Sequence, residues 1–238
     1  MEKSLSVIIP AYNEEARVGR TLRHINSYLS ERYPKFEIIV VDDGSADGTA
    51  EVAADFSKGS ANVRLIKNDT NRGKGYSVRK GVLASSGGVV VFSDADESVP
   101  ISELPKFIDA IEKGADVAIA SRELSTSDII KKQAAWRRTM GRVFNLFVRM
   151  AAFGGIPDTQ CGFKCFKRDA ALDLFREQRL EGFAFDVEIL YLARLKRYRV
   201  EQIGVQWINS PNSRVGPIRD SMDMLRELFR IRRLHRDS

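Results

Sequence analysis

Short apolar runs punctuate the first half of the chain: LSVIIP at 5–10, EIIVVDD at 37–43, VRLIKN at 63–68, GVVVFSD at 88–94 and ADVAIAS at 115–121. They are rich in Val and Ile and lack polar alternation, which suits strands of a parallel sheet covered on both faces. The intervening segments predict helices at 14–32, 47–57, 73–85 and 102–113. This β-α-β repetition predicts an open, doubly wound sheet through about residue 122. Ligands of such sheets bind beyond the carboxyl ends of the strands.

After residue 122 the pattern changes. A basic amphipathic stretch spans 131–153, followed by a turn, the segment DTQCGFKCF, helices at 168–177 and 184–197, a strand RVEQIGVQW and a last amphipathic helix at 217–236. No low-complexity segment, linker or internal repeat interrupts the chain, so residues 1–238 read as a single domain.

Four polar clusters follow predicted strands. PAYNEE ends the first strand, leaving Ala11, Tyr12 and Asn13 to face a strand-end crevice, with Asn13 alternatively a plain helix cap. VDDGSADGT ends the second with adjacent acids Asp42 and Asp43, one of which can accept hydrogen bonds from a nucleobase or ribose; Ser45 or Asp47 would cap the next helix. FSDADES places Asp94 and Asp96 either side of Ala95 after the most apolar strand, and two carboxylates at that spacing suit one hard cation that also takes phosphate oxygens. NRGKGYSVRKG sets Arg72, Lys74, Arg79 and Lys80 near a helix start, where amides and cations can meet phosphate, although it lacks the spacing of a Walker loop.

The set SVIIPAYNEE, VVDDGSADGT, NRGKG and FSDADES resembles the nucleotide-sugar half of family-2 glycosyltransferases with a GT-A fold. The segments ASR at 120–122, DTQCGFKCFKRDAA at 158–171 and FAFDVEIL at 183–190 resemble more narrowly the dolichyl-phosphate β-glucosyltransferases and, at greater distance, the dolichol-phosphate mannosyltransferases. The resemblance implies a Rossmann-like three-layer α/β sandwich with a mostly parallel central sheet plus C-terminal amphipathic helices. It divides the chain into a nucleotide-sugar half, 1–122, and an acceptor half, 123–238. By this likeness Pro10, Ala11, Tyr12 and Glu14 contact the nucleoside, and Asp42 or Asp43 reads the base. Asp94 and Asp96, flanking Ala95, hold Mg²⁺ or Mn²⁺. Lys74 lies on the donor side, while Arg122, Arg137 or Arg138, and Arg214 meet the acceptor phosphate or the donor diphosphate. Asp186 stands where related enzymes acting on hydroxyls keep a catalytic acid, and serves as an orienting or base residue; alternatively Asp186 and Glu188 are first-turn acids of their helix. Mannosyltransferase relatives carry a glutamine where this chain has Ser98.

Charge fits a lipid acceptor. From Ile129 to Pro157 there is no acid, but there are six bases, Lys131, Lys132, Arg137, Arg138, Arg142 and Arg149, so this window alone matches the net charge of +6. It also carries an apolar stripe of Met140, Val143, Phe144, Phe147, Met150 and Ala151. The last helix repeats the theme, with Ile218, Met222, Leu225 and Phe229 on one stripe and Arg226, Arg230, Arg232, Arg233 and Arg236 elsewhere. Basic helices with large apolar faces suit an anionic membrane surface, and a core-packing helix with a solvated basic face is the alternative. No run reaches the length of a membrane span, and the N-terminus is too short in apolar residues for a signal peptide. Any membrane contact is therefore expected to be peripheral, and the resemblance implies the cytoplasmic face, since its eukaryotic members carry an amino-terminal membrane anchor not seen in this sequence. Nothing resembles a nucleic-acid module. Two cysteines and two distant histidines fit reduced thiols better than structural zinc.

The activity implied is inverting transfer of a hexose, glucose from UDP-glucose rather than a GDP-mannose type of donor, to dolichyl or polyprenyl phosphate. A phosphate with its second pKa near about 6 is already anionic at neutral pH, so a strong general base is dispensable. The alternatives are transfer to a saccharide, a sugar-1-phosphate nucleotidyltransferase, whose glycine-rich signature would replace AYNEE, and a non-catalytic nucleotide sensor.

Overall fold

The computed structural model describes residues 4–131, 155–208 and 219–236. Its central sheet is built from β1 (Leu5–Ala11), β2 (Phe36–Asp42), β3 (Val63–Lys67), β4 (Val89–Ser93), β5 (Val117–Ser121), β7 (Phe163–Lys167) and β8 (Val200–Gly204), while β6 (Asp128–Lys131) and β9 (Gln206–Ile208) stand apart from it. The seven strands lie in the order β3-β2-β1-β4-β7-β5-β8. Around them pack α1 (Glu15–Arg32), α2 (Thr49–Lys58), α3 (Lys74–Ala84), α4 (Leu104–Glu112), α5 (Arg168–Glu177), α6 (Phe185–Leu195) and α7 (Arg219–Leu234).

All five apolar runs do form parallel strands; the exception in the sheet is a strand that the sequence pattern did not predict. β7 inserts between β4 and β5 and runs antiparallel to both. The expected strand RVEQIGVQW divides at Val205: β8 joins the main sheet, whereas β9 pairs with β6, which the sequence pattern did not predict.

Each sheet face is covered. On one side Leu22, Ile25 and Phe107 pack against Val7, Ile9, Val40 and Phe163. On the other Val78, Val82, Phe185, Leu190, Leu228 and Ile231 pack with Ile8, Val41, Phe92 and Phe166. Each such side chain, fully buried, contributes roughly 1.5–3 kcal/mol. Strand register gathers the polar clusters. Ala11 pairs with Asp42, and Ser93 pairs with Phe163, so the first three clusters and the start of β7 converge at one sheet edge.

Of the stripe expected on the last helix, Ile218 and the side chains of Met222 and Leu225 lie outside the described residues, and Phe229 does not face the core. Leu228 and Ile231 face the core, and Phe229 is 67% exposed. Among the described residues no helix is long and apolar enough to cross a membrane. The expected basic stretch at 132–153, with Arg137 and Arg138, and Arg214 lie outside the described residues.

Candidate active site

The first two clusters are knitted together at the ends of β1 and β2. Asn13, at a left-handed φ of 54°, accepts the Ala46 N–H on Oδ1 at 2.8 Å, and its own N–H donates to Ser45 Oγ at 2.9 Å. The Glu14 N–H donates to Thr49 Oγ1 at 2.7 Å. Asn13 is therefore a cross-link between loops and not a plain helix cap; α1 begins without a side-chain cap. Asp47 Oδ1 does accept the Thr49 N–H at the start of α2, at 3.0 Å.

The adjacent acids Asp42 and Asp43 are both buried, but differently used. Asp43 accepts the Asn68 amide at 2.7 Å and the backbone N–H groups of Arg72 at 3.0 Å and Gly73 at 2.8 Å, which fixes the NRGKG loop. Asp42 takes one long bond on Oδ2 from the Ser45 N–H at 3.4 Å, and its Oδ1 has no partner among the described residues. An unpaired buried acceptor at a strand end is costly unless something else supplies a donor. Of the four oxygens of these two acids, Asp42 Oδ1 is the one without a hydrogen-bond partner among the described residues.

Of the basic residues in the NRGKG segment, one reaches the acids. Lys74 Nζ lies 2.6 Å from Asp94 Oδ1. Burial pulls the Lys74 ammonium down, but Asp94, Asp186 and Asp96 outweigh it and hold Lys74 above its ordinary value. Arg72 is bound to Glu181, Arg79 to the carbonyls of Phe175 and Arg176, and Lys80 to Lys67 O and Asn68. Of the four, Lys74 is the one that reaches an acid of the turn after β4.

Asp94 and Asp96 sit on a tight turn after β4. The Asp94 N–H donates to Gly162 O at 3.0 Å, Asp96 Oδ1 accepts the Ser98 N–H at 3.0 Å, and Thr21 Oγ1 holds Ala95 O at 2.7 Å. Burial pushes the Asp96 carboxyl up, and the neighbouring Asp94 charge adds to it.

Such a pair is suited to a divalent cation: two carboxylates at one turn, with the rest of the shell left for phosphate oxygens and water. Gly162 is part of this turn's construction. A Cβ built there would fall on the Asp94 carboxylate, so only glycine lets β7 begin so close to the acid. Gly162→Ala is expected to lower turnover by about a hundredfold, the effect of an ångström-scale displacement of a reacting group, and to leave the circular dichroism spectrum unchanged. Activity within threefold of the parent would show that Asp94 is not held by this contact.

Residues 6–175 match the model of the family described as glycosyl transferase family 2. The chain belongs to that family. It is 36% identical over 240 residues to a dolichyl-phosphate beta-glucosyltransferase of Dictyostelium discoideum, covering 96% of this chain and 73% of that one. To the dolichyl-phosphate beta-glucosyltransferase of Saccharomyces cerevisiae it is 38% identical over 246 residues, covering 96% and 74%. Glucosyl-3-phosphoglycerate synthase from Mycobacterium tuberculosis, solved with Mn²⁺, UDP and glucosyl-3-phosphoglycerate, superposes with a TM-score of 0.69 at 19% identity, covering 96% of this chain and 78% of that one. A Pyrobaculum calidifontis mannosyltransferase solved with GDP-Man and Mn²⁺ gives 0.61 at 20% identity, covering 90% and 59%. The architecture is the expected GT-A fold.

In this transferase Asp186 is buried and paired with Lys164, itself fully buried on β7. Lys164 Nζ also donates to Cys161 O at 2.9 Å. Burial pushes the Asp186 carboxyl up, while Lys164 and Lys74 draw it part of the way back. Asp186 and Glu188 are both first-turn acids of α6, as the alternative reading had it, but each is also engaged elsewhere: Asp186 with Lys164, and Glu188 with the N–H groups of Arg179 and Leu180 in the preceding loop. Tyr12 is exposed beside Pro10 and the buried Ala11, whereas the Glu14 carboxylate is taken by Arg17. Arg122 grips Asp158 through Nε at 2.7 Å and Nη2 at 2.8 Å, with Trp207 5.6 Å away, so Nη1 is the terminal nitrogen that Asp158 does not engage. Both cysteines are free thiols, and burial together with Asp158 pushes Cys161 up to about 12.

Sequence reasoning missed Lys164, Asp158, Gly162 and Arg17. Arg17 stands close enough to Asp96 and Asp94 that, with Glu14, they hold it above its ordinary value against the downward pull of burial. The i,i+3 spacing from Glu14 was a readable signal of the pair, but not of its neighbours.

Proposed function

We propose that the protein transfers glucose from UDP-glucose, with inversion at the anomeric carbon, to dolichyl or polyprenyl phosphate at a membrane surface. The observation that carries this reading is the cluster at the end of β4, where Asp94 and Asp96 share one turn and Lys74 reaches Asp94 from the opposite loop. The names of the relatives above support the sugar and the acceptor. The donor set of Asp94 and Asp96 fits Mg²⁺ or Mn²⁺, which when bound offsets negative charge growing on a departing diphosphate.

The chain's own groups supply the rest. The unpaired oxygen of Asp42 is assigned to accept from a base N–H, with Pro10, Ala11 and Tyr12 beside it. Lys74 and Arg17 place positive charge where the diphosphate leaves, in a partly buried site where such charge acts strongly. Arg122, through its remaining nitrogen, and Arg137, Arg138 and Arg214 are assigned to the acceptor phosphate or the diphosphate. An acceptor that is already anionic needs placement more than deprotonation, so Asp186 serves to orient Lys74 and not as a base. Phe229 and the exposed Arg226, Arg230, Arg232, Arg233 and Arg236 of the last helix and its end support contact with an anionic bilayer.

The test uses radiolabelled UDP-glucose and GDP-mannose with Mn²⁺ or Mg²⁺ and a short polyprenyl phosphate. Label should pass into the organic extract from UDP-glucose and require the divalent ion. Label that stays aqueous with every donor would overturn the function, and release of diphosphate from UTP and glucose-1-phosphate would put a nucleotidyltransferase in its place.

A further inference from the structure

The last helix is joined to the donor side of the site by a buried polar path. His235, at the end of α7, lies with Nε2 2.6 Å from Glu188 Oε1, and both side chains are buried. The same carboxylate accepts the Arg179 N–H on Oε1 at 3.0 Å and the Leu180 N–H on Oε2 at 2.8 Å. Glu188 therefore binds the loop between α5 and α6 on one side and the end of α7 on the other.

That loop is pressed against the NRGKG segment. Gln178 Nε2 donates to Gly75 O at 2.9 Å, the Tyr76 N–H donates to Glu181 O at 3.1 Å, and Arg72 Nη2 lies 2.7 Å from Glu181 Oε1. There is no slack in the contact. A Cβ on Gly75 would lie 2.7 Å from Phe185 Cβ and 2.8 Å from Leu180 O, and one on Gly73, at φ +104°, 2.5 Å from Glu181 O. Between these two glycines stands Lys74, whose ammonium reaches Asp94. The path thus runs from His235 through Glu188 and the backbone at 179–181 to the base of Lys74, and each link is a hydrogen bond or a close backbone contact.

We infer that Glu188 and His235 are positioning residues: through them the carboxyl-terminal helix sets the loop at 178–182, and that loop sets Lys74 toward Asp94. Neither side chain has to touch a substrate. The inference rests on the proposed function only for what Lys74 does once placed; the mechanical coupling is a property of the protein alone. α7 also carries the exposed Phe229 and arginines, so the helix offered to a lipid surface is the one tied to the donor side.

The Tyr76 amide reports the coupling directly, because its partner is Glu181 O. The full chain is compared by amide hydrogen exchange without ligand and by calorimetric titration with UDP and Mn²⁺. His235→Leu, which keeps bulk but removes the bond, is expected to speed exchange at Tyr76 and Leu180 and to weaken UDP binding, each by roughly tenfold, within the range for substitutions along a packed path. His235→Gln, which retains a donor, should restore most of both. Ile231→Ala, one turn earlier on the same buried face, should lower the melting temperature and leave Tyr76 exchange unchanged. Should His235→Leu fail to fold, Glu188→Gln takes its place. Parental exchange at Tyr76 in the His235→Leu or Glu188→Gln protein, or equal acceleration in Ile231→Ala, overturns the inference. If the unaltered protein binds no UDP, the proposed donor is wrong, while the exchange result still decides the coupling.

Discussion

Replacing Asp94 by asparagine is expected to lower sugar transfer by about a thousandfold, from the loss of roughly 4 kcal/mol of charge stabilisation at 1.36 kcal/mol per decade. The side chain is nearly isosteric and its backbone N–H still finds Gly162 O, so the turn after β4 should survive. What disappears is one of two negative charges offered to a divalent ion, and with it the partner of Lys74. Lys74 then keeps the attraction of Asp186 and Asp96 but loses the carboxylate it contacts, so its ammonium is no longer fixed on the turn after β4. Two measurements check this. The Mn²⁺ concentration for half-maximal activity should rise, and kcat/KM at saturating metal should stay depressed. A loss below tenfold, or one fully restored by excess metal, would mean that the charge of Asp94 contributes little beyond ion affinity.

The parts of this site legible in the sequence are those encoded by local pattern. Val- and Ile-rich runs mark strands buried on both faces, and a polar cluster directly after such a run must lie at the strand's carboxyl end, which is what marks Asp42, Asp43, Asp94 and Asp96. Pairings that depend on distant chain were not legible. In DTQCGFKCF, Lys164 interrupts the apolar residues of β7, and the countercharge of a fully buried lysine there comes from Asp186, 22 residues later. The antiparallel direction of β7 follows from its insertion between β4 and β5 and not from composition. Arg72, Lys74, Arg79 and Lys80 are equivalent as letters; packing against the loop at 178–182 separates the one that reaches an acid of the turn after β4 from three that bind carbonyls, Asn68 or Glu181. The last helix misled for another reason. It has apolar residues in two phases, and Leu228 and Ile231 of one are buried while Phe229 of the other is exposed.

The second large effect concerns stability. Lys164→Met should destabilise the fold by about 3–5 kcal/mol, because it leaves the Asp186 carboxylate buried without its contact partner, and breaking one side of a buried ion pair costs far more than the pair contributes. Asp186→Asn should cost less, since the amide can still accept from Lys164 Nζ, which keeps its bond to Cys161 O. The double replacement Lys164→Met with Asp186→Leu fills similar volume with no charge and should recover most of the loss, giving a coupling energy of several kcal/mol in a double-mutant cycle. Urea unfolding of the parent, both single variants and the double variant measures this, and additive losses would show that the two side chains do not act as a pair. Transfer assays on Asp186→Asn separate the roles of that carboxylate. If it only balances Lys164 and orients Lys74, Asp186→Asn keeps turnover within tenfold of the parent at saturating donor and acceptor, and its pH profile keeps the parental acid limb. A collapse of turnover by a hundredfold or more in a protein that still binds UDP would instead make Asp186 a base, and the anionic phosphate acceptor, which needs none, would no longer account for the chemistry.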